Sequence, residues 1–157
     1  MPVKPIPDGY HAVTPYLIVH DAAKALDYYQ KVFGAQETFR MASPDGRIGH
    51  AEIRIGNSVV MLADEHPEMG YRSAATIGST PVSLLLYVED VDAIFRRAIE
   101  AGARELRPVN DQFYGDRTGT LEDPFHHVWT IATHKEDLSE EEMLRRQKEM
   151  REKKAGA

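Results

Sequence analysis

A chain of 157 residues with 19 basic and 25 acidic side chains, for a formal net charge of −6, is long enough to bury one core or two joined half-domains without a staple. The absence of cysteine removes disulfides, thiolate nucleophiles and cysteine-based zinc or iron–sulfur sites, and fits a reducing, cytoplasmic setting. Basic residues gather toward the C-terminal end and interleave there with acidic ones, which argues against a nucleic-acid partner; no run is long and apolar enough to argue for a membrane one.

In chain order, residues 1–11 read as an N-terminal extension. The β-branched run Thr14–Val19 reads as a strand, and Asp21 stands where an N-cap belongs before a helix over Ala22–Phe33 that Gly34 ends. Leu26, Tyr29 and Phe33 recur at helical spacing and should face a core, with Lys24, Asp27 and Lys31 in water. Ala35–Met41 reads as a strand and Pro44-Asp45-Gly46 as a turn. The strongest hairpin signal is Ile48–Ile55, Gly56-Asn57, Ser58–Ala63, because Gly-Asn suits a two-residue turn with positive φ. If Ile55 pairs with Ser58, then Arg54 opposes Val59, Glu52 opposes Met61 and His50 opposes Ala63, all on one face. Ala51, Ile53, Ile55, Val60 and Leu62 take the other face, toward the helix.

Asp64–Pro81 shows no clear periodicity and reads as a long connection, its stretch 67–81 a candidate lid. The second half repeats the first: a strand over Val82–Val88, a helix from about Val91 to Ala101, a strand near Arg104–Pro108, a polar aromatic loop Asn110–Asp116, and a hairpin of Arg117–Glu122 with His127–Ala132 across Asp123–His126. Val19-His20-Asp21 recurs as Val88-Glu89-Asp90 and Gly34-Ala35 as Gly102-Ala103, so one supersecondary unit is used twice. The repeat implies an internal seam, the kind of concave place where small-molecule sites form. The modules span 12–66 and 82–134. Residues 135–157 read as a charged helix or tail, with Ser139 and Glu142 as a capping box, pairs Glu141/Arg145, Glu142/Arg146 and Glu149/Lys153, and a thin apolar face of Met143, Leu144 and Met150.

Paired βαβββ units with Asp-capped helices, Gly-Ala ends and an Asp123-Pro124 hairpin resemble the vicinal oxygen chelate superfamily, the glyoxalase, bleomycin-resistance and dioxygenase group, over about Ala12–His134. The stretches His50–Ser58, Tyr114–Gly119 and Trp129–His134 are similar to one bacterial branch of it. The resemblance implies an α+β fold in which two βαβββ modules form an incomplete eight-stranded barrel, followed by a C-terminal helix. Metal-using members place His, Glu or Gln, His and Glu on four inward strands. Here those slots fall on Thr14, Met61, Ser83 and Thr130, which offer hydroxyls and a thioether, so the usual divalent site is expected to be absent and no cofactor is expected.

If Met61 faces a cavity, His50, Glu52 and Arg54 face it too. His50 and Glu52 could line a pocket, form a structural pair, act as a general acid–base pair, or hold a metal, the one route by which a divalent ion would enter. Tyr16, Arg54, Met61, Tyr87, Tyr114 and Arg117 are candidate ligand contacts, although Arg117 could instead be a structural partner of Asp116 or Glu122. His126 and His127 point to opposite sides of a strand and read as loop polarity. Trp129 reads as core, and His11, His20, His66 and His134 receive no role. Three functions compete. One is a dimeric protein that binds an apolar or aromatic small molecule between modules without metal. Another is a glyoxalase-like lyase, isomerase or dioxygenase using His50 and Glu52. The third is a scaffold that docks a partner through its C-terminal helix.

Overall fold

In the computed structural model, which describes residues 2–156, the Asp21 carboxylate accepts the Lys24 amide at 3.1 Å and caps α1 (Ala22–Phe33). Gly34 ends that helix in the left-handed region at φ 67°, where a β-carbon would be strained. The second half repeats the device, with Asp90 capping α2 (Val91–Glu100) through the Ala93 amide at 3.1 Å. Each helix has four strands of its own. β1 (Tyr16–Val19), β2 (Gln36–Ala42), β3 (Ile48–Ile55) and β4 (Ser58–Asp64) form one sheet in the order β1-β4-β3-β2. β5 (Ser83–Tyr87), β6 (Arg104–Asp111), β7 (Asp116–Glu122) and β8 (Val128–His134) form another in the order β5-β8-β7-β6. In both, the first strand runs parallel to the last and the other pairings are antiparallel. The fold is α+β, strand–helix–three strands used twice, followed by α3 (Glu140–Ala155).

The chain falls into two compact units. One holds the chain up to Pro81 together with Pro124–His127, and the other holds Val82–Asp123 and the chain from Val128 on. In the first unit the sheet face bearing Ala51, Ile53, Ile55, Val60 and Leu62 is buried, as are Ala25, Leu26, Tyr29 and Val32 of α1. Phe125 adds to this core, its ring meeting Tyr28 at 6.0 Å and Tyr29 at 6.2 Å. Large apolar side chains buried in this way contribute about 1.5–3 kcal/mol each. Phe33 is only half-buried and stacks on Tyr29 at 5.8 Å. In the second unit Val91, Phe95 and Ala98 of α2 are buried with Leu121, Trp129 and Ile131 of the sheet. The helix approaches closely because Gly119 lies beneath it: a β-carbon there would come within 2.8 Å of the Phe95 ring. Trp129 belongs to this core, and its indole donates to Asp123 at 2.9 Å.

Several boundaries differ from those expected of the sequence. β1 begins at Tyr16 rather than Thr14, because Pro15 brings no amide to the ladder; Thr14 lies outside the strand with its hydroxyl donating to the His11 carbonyl at 3.3 Å. β6 runs on to Asp111, which shortens the expected loop Asn110–Asp116 to 112–115. Pro108 is accommodated because β6 is an edge strand with irregular register. The stretch without periodicity after β4 holds a 3₁₀ turn (Pro67–Met69) and one helical turn (Ala74–Ile77). The Glu65 carboxylate ties down the second of these, accepting from the Ser73 amide at 3.2 Å and hydroxyl at 3.0 Å and from the Thr76 hydroxyl at 2.8 Å. Ser139 caps α3 through the Glu142 amide, but Arg145 pairs with Glu142 and Glu149 rather than with Glu141. No residue of α3 is buried. Among the described residues no helix is long and apolar enough to cross a membrane.

Candidate functional site

The β3–β4 register is the one a two-residue turn at Gly56-Asn57 dictates: Ile55 opposite Ser58, Arg54 opposite Val59, Glu52 opposite Met61. The same line continues outward, with Tyr16 of β1 opposite Met61 and Phe39 of β2 opposite Glu52. Residues paired across strands point to one side of a sheet, so Tyr16, Met61, Glu52 and Phe39 form a single row across all four strands, on the face turned away from α1. His50 lies two residues along β3 on the same side, opposite Met41. This face is open and largely apolar: Tyr16 and Phe39 are each 47% exposed. Rings flank His50, Tyr16 at 5.5 Å and Phe39 at 6.1 Å between centroids.

The polar atoms of this face form a closed chain. His50 Nε2 lies 3.1 Å from Glu52 Oε2, His50 Nδ1 lies 2.8 Å from the Tyr16 hydroxyl, and the Tyr10 hydroxyl donates to Glu52 Oε1. An ionised carboxylate only accepts. Nε2 therefore carries a hydrogen and donates to Glu52; in the neutral imidazole Nδ1 then accepts from Tyr16. The Tyr10 hydroxyl, and after it the His50 imidazole, hold the Glu52 carboxyl below the usual carboxylate range, outweighing the opposite pull of burial. Glu52 in turn raises the Tyr10 phenol, and burial is the main cause raising that of Tyr16.

Tyr10 belongs to a strap that crosses this face. Residues 2–13 are exposed except for Tyr10, which is half-buried. Gly9, at φ 84°, passes so close over Arg54 that a β-carbon would lie 2.9 Å from its guanidinium. Between strap and sheet lies a cleft of about 420 Å³, walled by Pro5, Pro7, Tyr10 and His11 on one side and Thr14, Glu52 and Met61 on the other.

The second unit carries the other expected residues and a second hydrogen-bonded chain. Tyr87 donates to Asp116 at 2.8 Å, Asp116 lies 2.7 Å from His134 Nδ1, and His134 Nε2 lies 2.7 Å from Asp137. A carboxylate on each nitrogen favours the protonated imidazole, which donates from both; the Asp116 bond first, then the Asp137 bond, raises its pKa. No role for His134 is visible in the sequence because both partners are distant or beyond the strand. A shallow cleft of about 560 Å³ lies against Tyr87, Glu89 and His134. Arg117 has neither expected carboxylate, Asp116 or Glu122, as partner. On a strand its side chain alternates with that of Asp116, and it reaches Asp92 of α2 at 2.8 and 3.0 Å and Asp111 at 3.2 Å. Tyr114 packs edge-on against Phe113 at 5.3 Å. Ser83 is exposed opposite Val128, and the Thr130 hydroxyl bonds that of Thr120 at 3.0 Å. The structure therefore gathers Tyr16, His50, Glu52, Arg54 and Met61 on one sheet face, and holds Tyr87, Tyr114 and Arg117 in the other unit. Tyr10, Phe39 and Met41 complete the first face and were not expected from sequence.

The family model for the glyoxalase/bleomycin resistance protein/dioxygenase superfamily matches residues 10–131. The chain belongs to this superfamily. An uncharacterized protein of Mycobacterium tuberculosis is 46% identical over 124 residues, covering 77% of this chain and 73% of that protein. Among solved structures of the superfamily's fold, TioX from Micromonospora sp. ML1 is similar at TM-score 0.61 and 27% identity, covering 82% of this chain and 100% of TioX. The fosfomycin resistance protein FosX from Listeria monocytogenes, solved with Mn(II) and sulfate, shares the fold at TM-score 0.62 and 18% identity, covering 87% of this chain and 96% of FosX. Among the described residues of this superfamily member, no group of three or more His, Asp or Glu is placed to hold a metal ion.

Proposed function

We propose that this superfamily member is a small-molecule binding protein of the glyoxalase and bleomycin-resistance type, taking an apolar or aromatic ligand on the open face of its first sheet without a metal. The observation that carries the reading is the closed chain Tyr16–His50–Glu52–Tyr10, in which both imidazole nitrogens and both carboxylate oxygens already have partners. A general base needs a lone pair within reach of the proton it takes. Here the lone pair of the neutral imidazole is engaged by Tyr16 and each Glu52 oxygen already accepts one hydrogen bond, so neither group stands ready as a free base. What faces outward is Tyr16, Phe39, Met41 and Met61, a surface suited to a flat apolar molecule with one or two polar anchors. The four positions that the family resemblance assigns to metal ligands are Thr14, Met61, Ser83 and Thr130. Hydroxyls and a thioether do not fit a divalent ion, and the Thr14 and Thr130 hydroxyls are already bonded within the protein. A homodimer belongs to the same proposal, since two-fold pairs are the commonest soluble assemblies.

Isothermal titration with a panel of aromatic and amphipathic molecules, run beside elemental analysis of protein purified without chelator, tests the reading. Micromolar binding that Tyr16→Ala weakens supports it. The second reading is an enzyme, lyase, isomerase or dioxygenase, and it is favoured by the ionised Glu52 beside His50. Stoichiometric metal that both His50→Ala and Glu52→Gln release would establish that one instead.

A further inference from the structure

We propose that Tyr10 is a built-in occupant of this site: its phenol stands where the ligand's own hydroxyl binds, so the ligand is an aromatic molecule bearing a phenol-type donor, and the strap over residues 2–13 swings away to admit it. The inference rests on the binding role proposed above and adds the ligand's chemistry and its way in.

The strap is held in a way that favours exchange. Among the described residues 2–13, Tyr10 alone is not exposed, and its side chain reaches Glu52 across 42 positions of sequence. Main-chain pairing with the sheet starts only at Pro15, whose carbonyl takes the Met61 amide at 2.9 Å. Pro2, Pro5 and Pro7 bring no amide hydrogens to such a ladder. A segment held by one side-chain hydrogen bond and by surface contacts opens more readily than one held by a ladder.

The chemistry of the pocket specifies what can replace that side chain. Glu52 has a side chain only 14% exposed, and a carboxylate so placed is costly to leave without a donor. A molecule that displaces Tyr10 must therefore bring a hydrogen of its own to Oε1, the oxygen Tyr10 leaves, while His50 stays on Oε2. Its body must suit the rings of Pro5 and Pro7, the Ile6 side chain and the Met61 thioether, which calls for an apolar frame such as an aromatic ring. The phenol side chain the protein itself places there has both properties. The cleft of about 420 Å³ beside it leaves room for a larger ligand to extend past the ring.

The test uses the full chain carrying fluorotyrosine, with the Tyr10 resonance identified by its loss in Tyr10→Phe. p-Cresol and toluene serve as probes of equal shape that differ in the hydroxyl. We expect p-cresol to move the Tyr10 resonance of the wild type to its solvent-exposed position, while toluene leaves it in place. Calorimetry should give p-cresol a Kd about tenfold lower for Tyr10→Phe than for wild type, since one hydrogen bond to a charged group no longer competes. In Glu52→Gln the preference for p-cresol over toluene should shrink by a similar factor. Equal binding of the two probes, or a p-cresol Kd unchanged by Tyr10→Phe, overturns the inference while leaving the face as a binding surface. Binding of neither probe to wild type or Tyr10→Phe overturns the binding reading itself.

Discussion

Replacing Asp64 with alanine should loosen the strand that carries His50 and Glu52, although Asp64 touches neither. This residue ends β4, is 9% exposed, and gives one oxygen to the Ala22 amide at 2.8 Å and the other to the Ile48 amide at 2.7 Å. The Ala22 amide belongs to the first turn of α1, where no intrahelical acceptor exists, and the Ile48 amide opens β3. Both residues are buried, so alanine leaves two amides with neither a carboxylate nor water. At about 1–3 kcal/mol for each orphaned group, the expected loss is about 4 kcal/mol, or about 2 M in urea midpoint at a slope of about 2 kcal/mol/M. Asp64→Asn, which keeps one acceptor oxygen, should lose roughly half as much. Urea unfolding followed by far-UV circular dichroism measures the total, and amide hydrogen exchange at Ala22 and Ile48 reads the two bonds separately. A loss under about 1 kcal/mol with the Ile48 amide still protected would refute the reasoning.

Other consequences can be checked alongside. Leu62→Ala, at a position 0% exposed beneath α1, should cost about 2–5 kcal/mol by the same urea assay. His134 has a folded-state pKa above its ordinary value of 6.5, so the stability it adds is complete below that pH and is lost as pH rises through the higher folded value; the thermal midpoint should fall across that range in wild type and not in His134→Gln. Glu52 has the opposite sign: its contribution is present above its ordinary value of 4.5 and is lost as pH falls through the lower folded value, so Tyr10→Phe should flatten the acid limb of the stability profile. Gly9→Ala strains the backbone at φ 84° and pushes the Arg54 guanidinium aside, so it should loosen the strap, read as faster proteolysis ahead of Tyr10 with a thermal midpoint no lower than that of Tyr10→Phe.

Local signals made most of the fold legible. Asp21 and Asp90 mark both helix starts, and Gly56-Asn57 alone fixes a register that places His50, Glu52 and Met61 on one side of the sheet. What stayed hidden depended on contacts between residues far apart in sequence. Phe39 lies on a strand recognisable from sequence, but two irregularities in the β2–β3 pairing hide its position opposite Glu52. Tyr10 lies in a segment without periodicity, and nothing local points to a carboxylate so many residues away. Arg117 could have several acidic neighbours along β7, and only the packing of α2 selects Asp92. The chain Asp116–His134–Asp137 was hidden because His134 sits at a strand end, where spacing carries no information.

The row Tyr16–Met61–Glu52–Phe39 also makes the Gly56-Asn57 turn a checkpoint for inheritance. Inserting or deleting a single residue there would slide β3 against β4 by one step and exchange the two faces, turning Glu52 inward beneath α1 and Ile53 outward. A lineage therefore cannot drift in the length of this turn while keeping either its foldedness or its recognition surface. Variation in the family should accumulate at the broad turn around Asp45 instead, where the exposed edge strand β2 can absorb it.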